Sequence, residues 1–349
     1  MEDISGIDFS AVDEIVGRVN AGGYSFSDYV GMIVSDGGGV NYRTIADNIF
    51  NTLRFELSDV KTLLAEMIFI VIVAAVYVNI SRTFRSRQVS ETGFYITYMF
   101  LFMLLAVSFG KLYEMAEQTM GVLLSYMQAL VPAFFLTVSY VSGGAASVTF
   151  YQEALILITL VEAVLLKIFL PLINVYFVFA LVNPLLEEDL FSNMLELLDK
   201  LISWGIKSMF AVVAGIGAIQ SLIIPVAGNI RNGVVIKRAS SIPGVGGSVS
   251  AVMESVLGAG AIIKNAVGAA GLIAIVIICA YPVLKLMTYA VLYHAGAAFS
   301  QPVAGDKRMP SCMVAASRAA RLMLMVVGMS AVLFMLTIAV VTLATGRGY

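Results

Sequence analysis

Long apolar stretches alternate with short polar segments along most of this 349-residue chain. A transmembrane helix needs roughly 20 predominantly apolar residues, and eight stretches are candidates for such a span. The candidates are residues 62–80, 94–112, 120–141, 154–182, 204–226, 249–264, 266–299 and 321–345. This pattern predicts an all-α polytopic membrane protein with about eight transmembrane segments.

Two of the predicted spans are longer than a single straight crossing requires. The stretch 154–182 contains Pro171, and the stretch 266–299 contains Pro282. Proline lacks an N–H group and its ring clashes with the preceding turn, so both residues are candidate helix kinks. Pro132, in the third span, and Pro243, ahead of the sixth, are candidate kinks for the same reason.

The first 59 residues differ in character from the rest of the chain. They contain ten acidic residues against three arginines. Ser27 and Asp28 are candidates to cap a short helix, and between residues 45 and 57 isoleucine or leucine recurs every four residues, as in an amphipathic helix. We predict an acidic, partly helical extracytoplasmic segment at 1–59 and a polytopic membrane domain at 60–349.

Basic residues form three groups that predict the orientation of the spans. They lie at 82–87 after the first span, at 231–238 after the fifth, and at 307–321 before the last. All three groups are cytoplasmic only if the short sixth segment crosses the membrane. The charge pattern therefore favours eight crossings, with both chain ends and the acidic loop 187–189 outside.

The spacing of the prolines indicates an internal repeat. Pro132 and Pro243 are 111 residues apart, and the other two candidate kinks have the same separation. At this offset the segments 93–186 and 204–304 align as two units of three spans, so the second unit is upside down. Such 3+3 inverted repeats with discontinuous helices occur in transporters. The alternative is that the prolines match by chance.

The stretch at residues 240–271, SSIPGVGGSVSAVMESVLGAGAIIKNAVGAAG, is rich in glycine and serine. It is not a phosphate-binding loop, because no Lys-Ser/Thr pair follows the glycines. A similar run, VSGGAASV, lies in the first unit of the repeat. Two interpretations stay open. The small residues let helices approach closely, or short discontinuous helices line a pore or a substrate cavity.

Composition supports a membrane protein and excludes several functional classes. The chain is 60% hydrophobic and 13% charged, with a mean hydropathy of +0.92, whereas soluble domains are about 45–50% apolar and about 25% charged. The net charge of −2 gives no basis for binding nucleic acid. Two cysteines and one histidine provide neither a disulfide framework nor a His/Cys metal site.

No catalytic motif is present in the sequence. His294 lies in an apolar stretch without an evident partner, as a packed histidine does, and no serine has a G-x-S-x-G context. We therefore expect that the protein is not an enzyme, and we expect no catalytic residue, cofactor or metal ion.

Charged residues within the apolar stretches are the candidates for a functional site: Glu162, Lys167, Lys264, Lys285 and Glu254. Charges at membrane depth are costly, so they usually face the bundle interior or a cavity, often in pairs. Glu162 is the candidate partner of Lys167 or Lys285, each of which lies near a proline. The set is either an ion or substrate pathway, or it consists of structural ion pairs and of lysines that reach the interface.

Three segments carry a resemblance to a known family: ALVPAFFLTVSYVSGGAASVTFYQ, GIGAIQSLIIPVAG, and IKRAS followed by the glycine-rich stretch. They resemble the stage III sporulation protein AE family, and the order of elements is similar over nearly the whole chain. Family members typically begin with a signal-like hydrophobic segment, and the opening MEDISGIDFS does not have that pattern. Either the start is trimmed, or the first membrane helix directs insertion.

The resemblance implies a membrane subunit of the channel, or feeding-tube, complex that links mother cell and forespore in an endospore-forming bacterium. It implies a location in the mother-cell membrane around the forespore. The implied partners are the lipid bilayer, other membrane proteins of the same operon and a forespore membrane protein. A homo-oligomer is compatible with the same resemblance. The family supplies no catalytic residues. The alternative function is a stand-alone secondary transporter with a coupled site at Glu162, Lys167 and Lys285.

Overall fold

The computed structural model describes residues 8–19, 25–35, 61–73, 75–76, 87–142, 156–157, 159–186, 190–240, 246–304 and 307–344. Within these ranges the chain is helical apart from short turns, and no strand occurs. The helices, numbered in chain order, are α1 (Ser10–Val19), α2 (Phe26–Ser35), α3 (61–73), α4 (Arg87–Ser142), α5 (Thr159–Leu185), α6 (Ser192–Ser240), α7 (Gly246–Ala304) and α8 (Arg308–Ala344). The all-α prediction is confirmed for this part of the chain.

A reciprocal cap begins α2. The backbone N–H of Ser25 donates to Asp28 Oδ2 over 2.8 Å, and the N–H of Asp28 donates to Ser25 Oγ over 3.1 Å. This is a capping box with aspartate at its acidic position. The predicted cap by Ser27 is wrong, because Ser27 lies inside the first turn. Its backbone N–H donates to Asp13 Oδ1 (2.8 Å) and its hydroxyl to the same carboxylate, which ties α2 to α1.

Asp8 precedes α1 and lies on the surface. Its Oδ1 accepts the backbone N–H of Ser10 over 2.9 Å, at the start of the helix. Hydrogen bonds from Ser10 lower the pKa of the Asp8 carboxyl, because they stabilise its charged form. A carboxylate at this position also complements the positive end of the α1 dipole.

The two N-terminal helices pack against the long helices of the bundle. Phe26 is fully buried, and its ring centroid lies 5.4 Å from that of Phe9 and 6.5 Å from that of Tyr126 in α4. Buried residues of α1 and α2 share one core cluster with residues of α4, α7 and α8. The predicted amphipathic helix at 45–57 lies outside the described residues, and the division at residue 59 stays a prediction.

The two spans predicted at 94–112 and 120–141 lie in one continuous helix, α4. The predicted separation is wrong, because the seven intervening residues include two glutamates but no glycine or proline that would break a helix. Leu112, Ala116 and Met120 keep a buried stripe at a spacing of four residues through this region. The spans predicted at 249–264 and 266–299 likewise form one helix, α7.

The helix α5 changes its winding just before Pro171. Residues Leu165–Phe169 form a π-helical turn, and the N–H of Leu170 donates to the carbonyl of Leu165. Pro171 has no N–H to give to the preceding turn, and a widened turn is one way in which a helix accommodates this loss. Pro132 and Pro282 lie inside α4 and α7, Pro243 lies outside the described residues, and kinks at these three positions stay predictions.

The long helices alternate in direction. Tyr98, near the start of α4, donates its hydroxyl to the carbonyl of Leu181 near the end of α5, over 2.6 Å. A short connection from α5 to α6 reverses the chain again: Asn183 Oδ1 accepts the N–H of Phe191 over 3.0 Å. The pair α7 and α8 forms a helical hairpin joined at residues 305–307. A core of interdigitated apolar side chains fills the space between these helices.

Among the described residues, four helical segments are long and apolar enough to cross a membrane: Glu91–Pro132, Thr159–Leu185, Ile262–Pro302 and Arg308–Val340. Large apolar side chains also point outward, including Met103 (64% exposed) and Val291 (63% exposed). An outward apolar surface of this kind suits contact with lipid.

The count of eight crossings and the 3+3 repeat are not confirmed. Within the described chain, each predicted repeat unit is made mainly of two long helices, α4 with α5 and α6 with α7, instead of three spans. The helices α4 and α7 have 56 and 59 residues, or about 84 and about 89 Å at 1.5 Å per residue. This length greatly exceeds the hydrocarbon core of about 30 Å.

Candidate functional site in the helix bundle

Buried polar side chains lie along the interface between α4, α5, α7 and α8. Most hydroxyl groups in these helices donate to the carbonyl one turn earlier in their own helix, as Thr337 does to Leu333. A few side chains reach across to another helix instead. These cross-helix groups include Tyr98, Ser108, Tyr126, Glu162, Lys264, Tyr293, Ser317 and Ser330.

Glu162 is the most buried carboxylate among the described residues, with 1% of its surface exposed. It lies in α5 between buried Val161 and Leu165, one turn before the π-helical segment. The Oγ atom of Ser330 in α8 is 2.8 Å from Oε1 and 2.8 Å from Oε2 of Glu162. The carboxylate also lies within electrostatic reach of the buried Cys279 thiol in α7. The contacts with Ser330 therefore join α5 to α8 at this acid.

Lys264 is also buried, with its surface 0% exposed. Its Nζ donates to the carbonyl oxygen of Thr342 over 3.0 Å. Thr342 lies in the last turn of α8, where carbonyls lack partners within the helix and the helix dipole is negative. The contact therefore has a structural explanation: Lys264 of α7 caps the end of α8.

The structure does not bring Glu162 together with the predicted lysine partners. Lys285 is half-buried, and its Nζ donates to the hydroxyl of Tyr281 over 2.7 Å and lies 5.1 Å from the ring centroid. Lys167 is exposed in the π-helical turn. Glu254 lies on α7, at a position where the backbone alone is described. A shared pathway through these residues stays a prediction.

The described end of the glycine-rich stretch is a helix-packing surface. A Cβ atom on Gly268 would lie 2.4 Å from Thr342 Oγ1, and one on Gly271 would lie 3.2 Å from side-chain atoms of Ile338 and Leu130. The carbonyl of Gly271 also accepts the hydroxyl of Tyr126 over 3.2 Å. These two glycines allow α7 to approach α4 and α8 closely.

We expect that single cysteines introduced at Ala266, Val267 and Ala270 are mostly protected from a water-soluble thiol reagent, because these positions of α7 are buried in the core that it shares with α4 and α8. The native thiols Cys279 and Cys312 are buried and give a low background. The measurement is the labelled fraction of each variant in intact membranes, with a cysteine at exposed Gly17 as the reactive control. Strong labelling along one continuous face of α7 would instead support a water-filled cavity.

An ion pair that sequence reasoning missed joins α6 to α8. Arg318 Nε donates to Asp199 Oδ1 over 2.6 Å, and Arg318 Nη2 donates to Oδ2, in a bidentate arrangement. The sequence separation of 119 residues hides this pair, although both residues are visible as charges near the ends of apolar runs. The contact fixes the start of α6 against the first half of α8.

A double-mutant cycle on Asp199→Asn and Arg318→Gln is expected to give a coupling of about 1 kcal/mol, the upper end for partly exposed pairs. The bidentate geometry and the lower exposure of the Asp199 side chain, 17%, favour this value. The measurement is thermal unfolding of the purified protein in detergent. The control is the more exposed pair of Glu196 and Lys200 in α6, for which we expect little coupling. Equal coupling in the two cycles would contradict a special role of Arg318.

The described residues offer little for metal or nucleophile chemistry. No group of three or more His, Cys, Asp and Glu side chains lies close enough to hold a metal ion in this part of the chain. The buried polar contacts lie within or between helices, each with one or two partners. This arrangement can orient helices and hold a proton or a charge at membrane depth.

The sequence of the chain is similar to those of known proteins. The model of the family described as "Stage III sporulation protein AE" matches residues 24–345. The chain is 23% identical over 302 residues to the "Stage III sporulation protein AE" of Bacillus subtilis (strain 168), which covers 85% of this chain and 74% of that protein. No solved structure matches the chain.

Proposed function

The chain belongs to the stage III sporulation protein AE family, and on this premise we propose that it is an integral membrane subunit of the channel complex linking mother cell and forespore. A role in sporulation follows from the family. The proposed location is the mother-cell membrane around the forespore, and the proposed period of action is forespore development after engulfment. The family match over residues 24–345 carries the proposal.

The proposed architecture is a multi-pass bundle with a permease-like or structural role. The four apolar segments and their outward apolar faces support insertion into a membrane. The finer topology, with about eight crossings, both ends outside and a 3+3 repeat, rests on the charge pattern and the proline spacing. We also propose that the protein is not an enzyme, which agrees with the packing and hydrogen-bonding roles of its described polar groups.

We propose that the acidic N-terminal segment meets partner proteins in the space between the two membranes. The described part of this segment turns its apolar side chains toward the bundle. Its charged side chains Asp8, Glu14, Arg18 and Asp28 stay exposed. A surface of this kind is available for polar contacts with other membrane proteins of the operon, with a forespore membrane protein or with a second copy.

The second candidate function is a stand-alone secondary transporter. The observation that favours it is the buried Glu162, since an ionisable group inside a bundle commonly marks an ion or substrate path. The two functions differ in what they require. A channel subunit acts within an assembly, whereas a secondary transporter moves its solute alone.

The test is purification of the tagged protein from sporulating cells after mild cross-linking, followed by mass spectrometry. The channel-subunit proposal expects membrane proteins of the same operon to co-purify, and a tagged unrelated polytopic protein from the same cells is the control. Purification without these partners, together with solute uptake by liposomes that contain the protein alone, would overturn the proposal in favour of the transporter.

A further inference from the structure

The surroundings of Glu162 raise the question of what neutralises its charge. The carboxylate is 1% exposed and lies among apolar side chains of α5 and α8. Burial of an ionised carboxylate without a counter-charge costs far more than a folded domain tolerates, so the group is either paired or uncharged. Its described hydrogen-bond partner is the neutral hydroxyl of Ser330. No lysine, arginine or histidine forms an ion pair with it among the described residues.

A metal cation fits this position poorly. Hard divalent cations take six or more oxygen ligands in proteins, whereas the described site offers two carboxylate oxygens and one hydroxyl oxygen. Among the described residues, no group of three or more His, Cys, Asp and Glu side chains could hold a metal ion. A proton, in contrast, neutralises the acid with a single bond and needs no coordination shell.

The number of hydrogens available for the two short contacts with Ser330 also bears on whether Glu162 is protonated. Two oxygen–oxygen distances of 2.8 Å are hydrogen-bond distances, but a serine hydroxyl has one hydrogen to donate and two lone pairs that accept. If Glu162 is ionised, one hydrogen must serve both contacts. If Glu162 is protonated, Ser330 donates to one carboxyl oxygen and accepts the O–H of the other, so each contact has its own hydrogen.

We propose that Glu162 and Ser330 form a proton-binding site inside the bundle and that the proton is bound at neutral pH. Besides Ser330 on α8, a titratable group within electrostatic reach of the acid is the Cys279 thiol of α7, which is neutral when protonated. Lys167 on the same helix is exposed and lies beyond the start of the π-helical turn. This inference goes beyond the sporulation role and does not depend on it.

The test is infrared difference spectroscopy of the full-length protein in lipid at neutral pH. The spectrum of the wild type minus that of Glu162→Gln is expected to show the carbonyl band of a protonated carboxylic acid. Ser330→Ala is expected to shift this band, because the acid loses its hydrogen-bond partner. Glu114→Gln, at an exposed position of α4, is the matched control and is expected to change carboxylate bands alone.

Two outcomes would overturn the proposal. One is a wild-type minus Glu162→Gln spectrum that contains carboxylate bands and no carboxylic acid band. If Glu162→Gln fails to fold, the decision rests on Ser330→Ala, and the absence of any carboxylic acid band that shifts with this substitution counts against the site. Either result would mean that a counter-charge outside the described residues neutralises Glu162.

Discussion

Sporulation is expected to fail in cells whose only copy of the protein carries Glu162→Ala, while the variant still inserts into the membrane. The side chain is 1% exposed and lies between α5 and α8, where it contacts Ser330. Alanine removes the acid and leaves the hydroxyl of Ser330 without its acceptor, at a cost of about 1–3 kcal/mol. That cost permits folding but removes the one buried acid, among the described residues, that can hold a proton or a charge between these helices.

The measurement is the yield of heat-resistant spores, combined with an immunoblot of the membrane fraction. Glu114→Ala is the matched control, since it removes an exposed carboxylate from α4, and we expect wild-type spore yield from it. Wild-type spore yield from Glu162→Ala would rule out a pathway through this residue and leave a structural role. Loss of the variant from the membrane would show instead that Glu162 acts through folding.

The second large effect is expected at Gly205, where α6 passes close to α5. A Cβ atom at this position would lie 2.5 Å from Cζ and 2.7 Å from Cε1 of Phe169, the last residue of the π-helical turn. Gly205→Leu therefore forces Phe169 out of its place or moves α6 away from α5. Overpacking of this kind costs about 1–3 kcal/mol, and we expect a clear fall in the unfolding temperature in detergent.

The chain provides a matched control on the same helix. Gly215 lies ten residues later in α6 and is exposed, and a Cβ atom there would meet no neighbouring atom within 4 Å. Gly215→Leu is expected to keep or slightly raise the unfolding temperature, because leucine has a higher helix propensity than glycine, by somewhat less than the roughly 0.8–1 kcal/mol that separates alanine from glycine. Similar losses in the two variants would show that α6 tolerates no leucine and that the contact with Phe169 is not the cause.

Hydropathy alone predicts the apolar helices well and their ends less well. The stretches 154–182, 266–299 and 321–345 all overlap apolar helical segments of the structure. The predicted break after residue 112 is wrong, because hydropathy falls at Glu114 and Glu117 while helix propensity does not. The hydropathy of a sequence window indicates whether a segment suits a lipid environment. The continuity of a helix depends instead on the absence of helix-breaking residues and on an uninterrupted stripe of buried side chains.

For the candidate site, the sequence predicts the buried charged residues but not their partners. The apolar sequence context of Glu162 and Lys264 is enough to mark both as buried charges with a functional or structural role. Their partners are Ser330 and the carbonyl of Thr342, at separations of 168 and 78 residues. Neither partner carries a charge, so no charge pattern in the sequence could identify it. Partners of buried groups are set by tertiary packing, which local periodicity does not contain.

We propose that the protein serves endospore formation as a membrane subunit of the mother cell–forespore channel. The most direct test is a clean deletion in the source organism, followed by microscopy through sporulation. We expect normal vegetative growth and complete engulfment, after which the forespores stall or shrink. Normal spores from the deletion strain, with a defect in solute handling during growth, would contradict it.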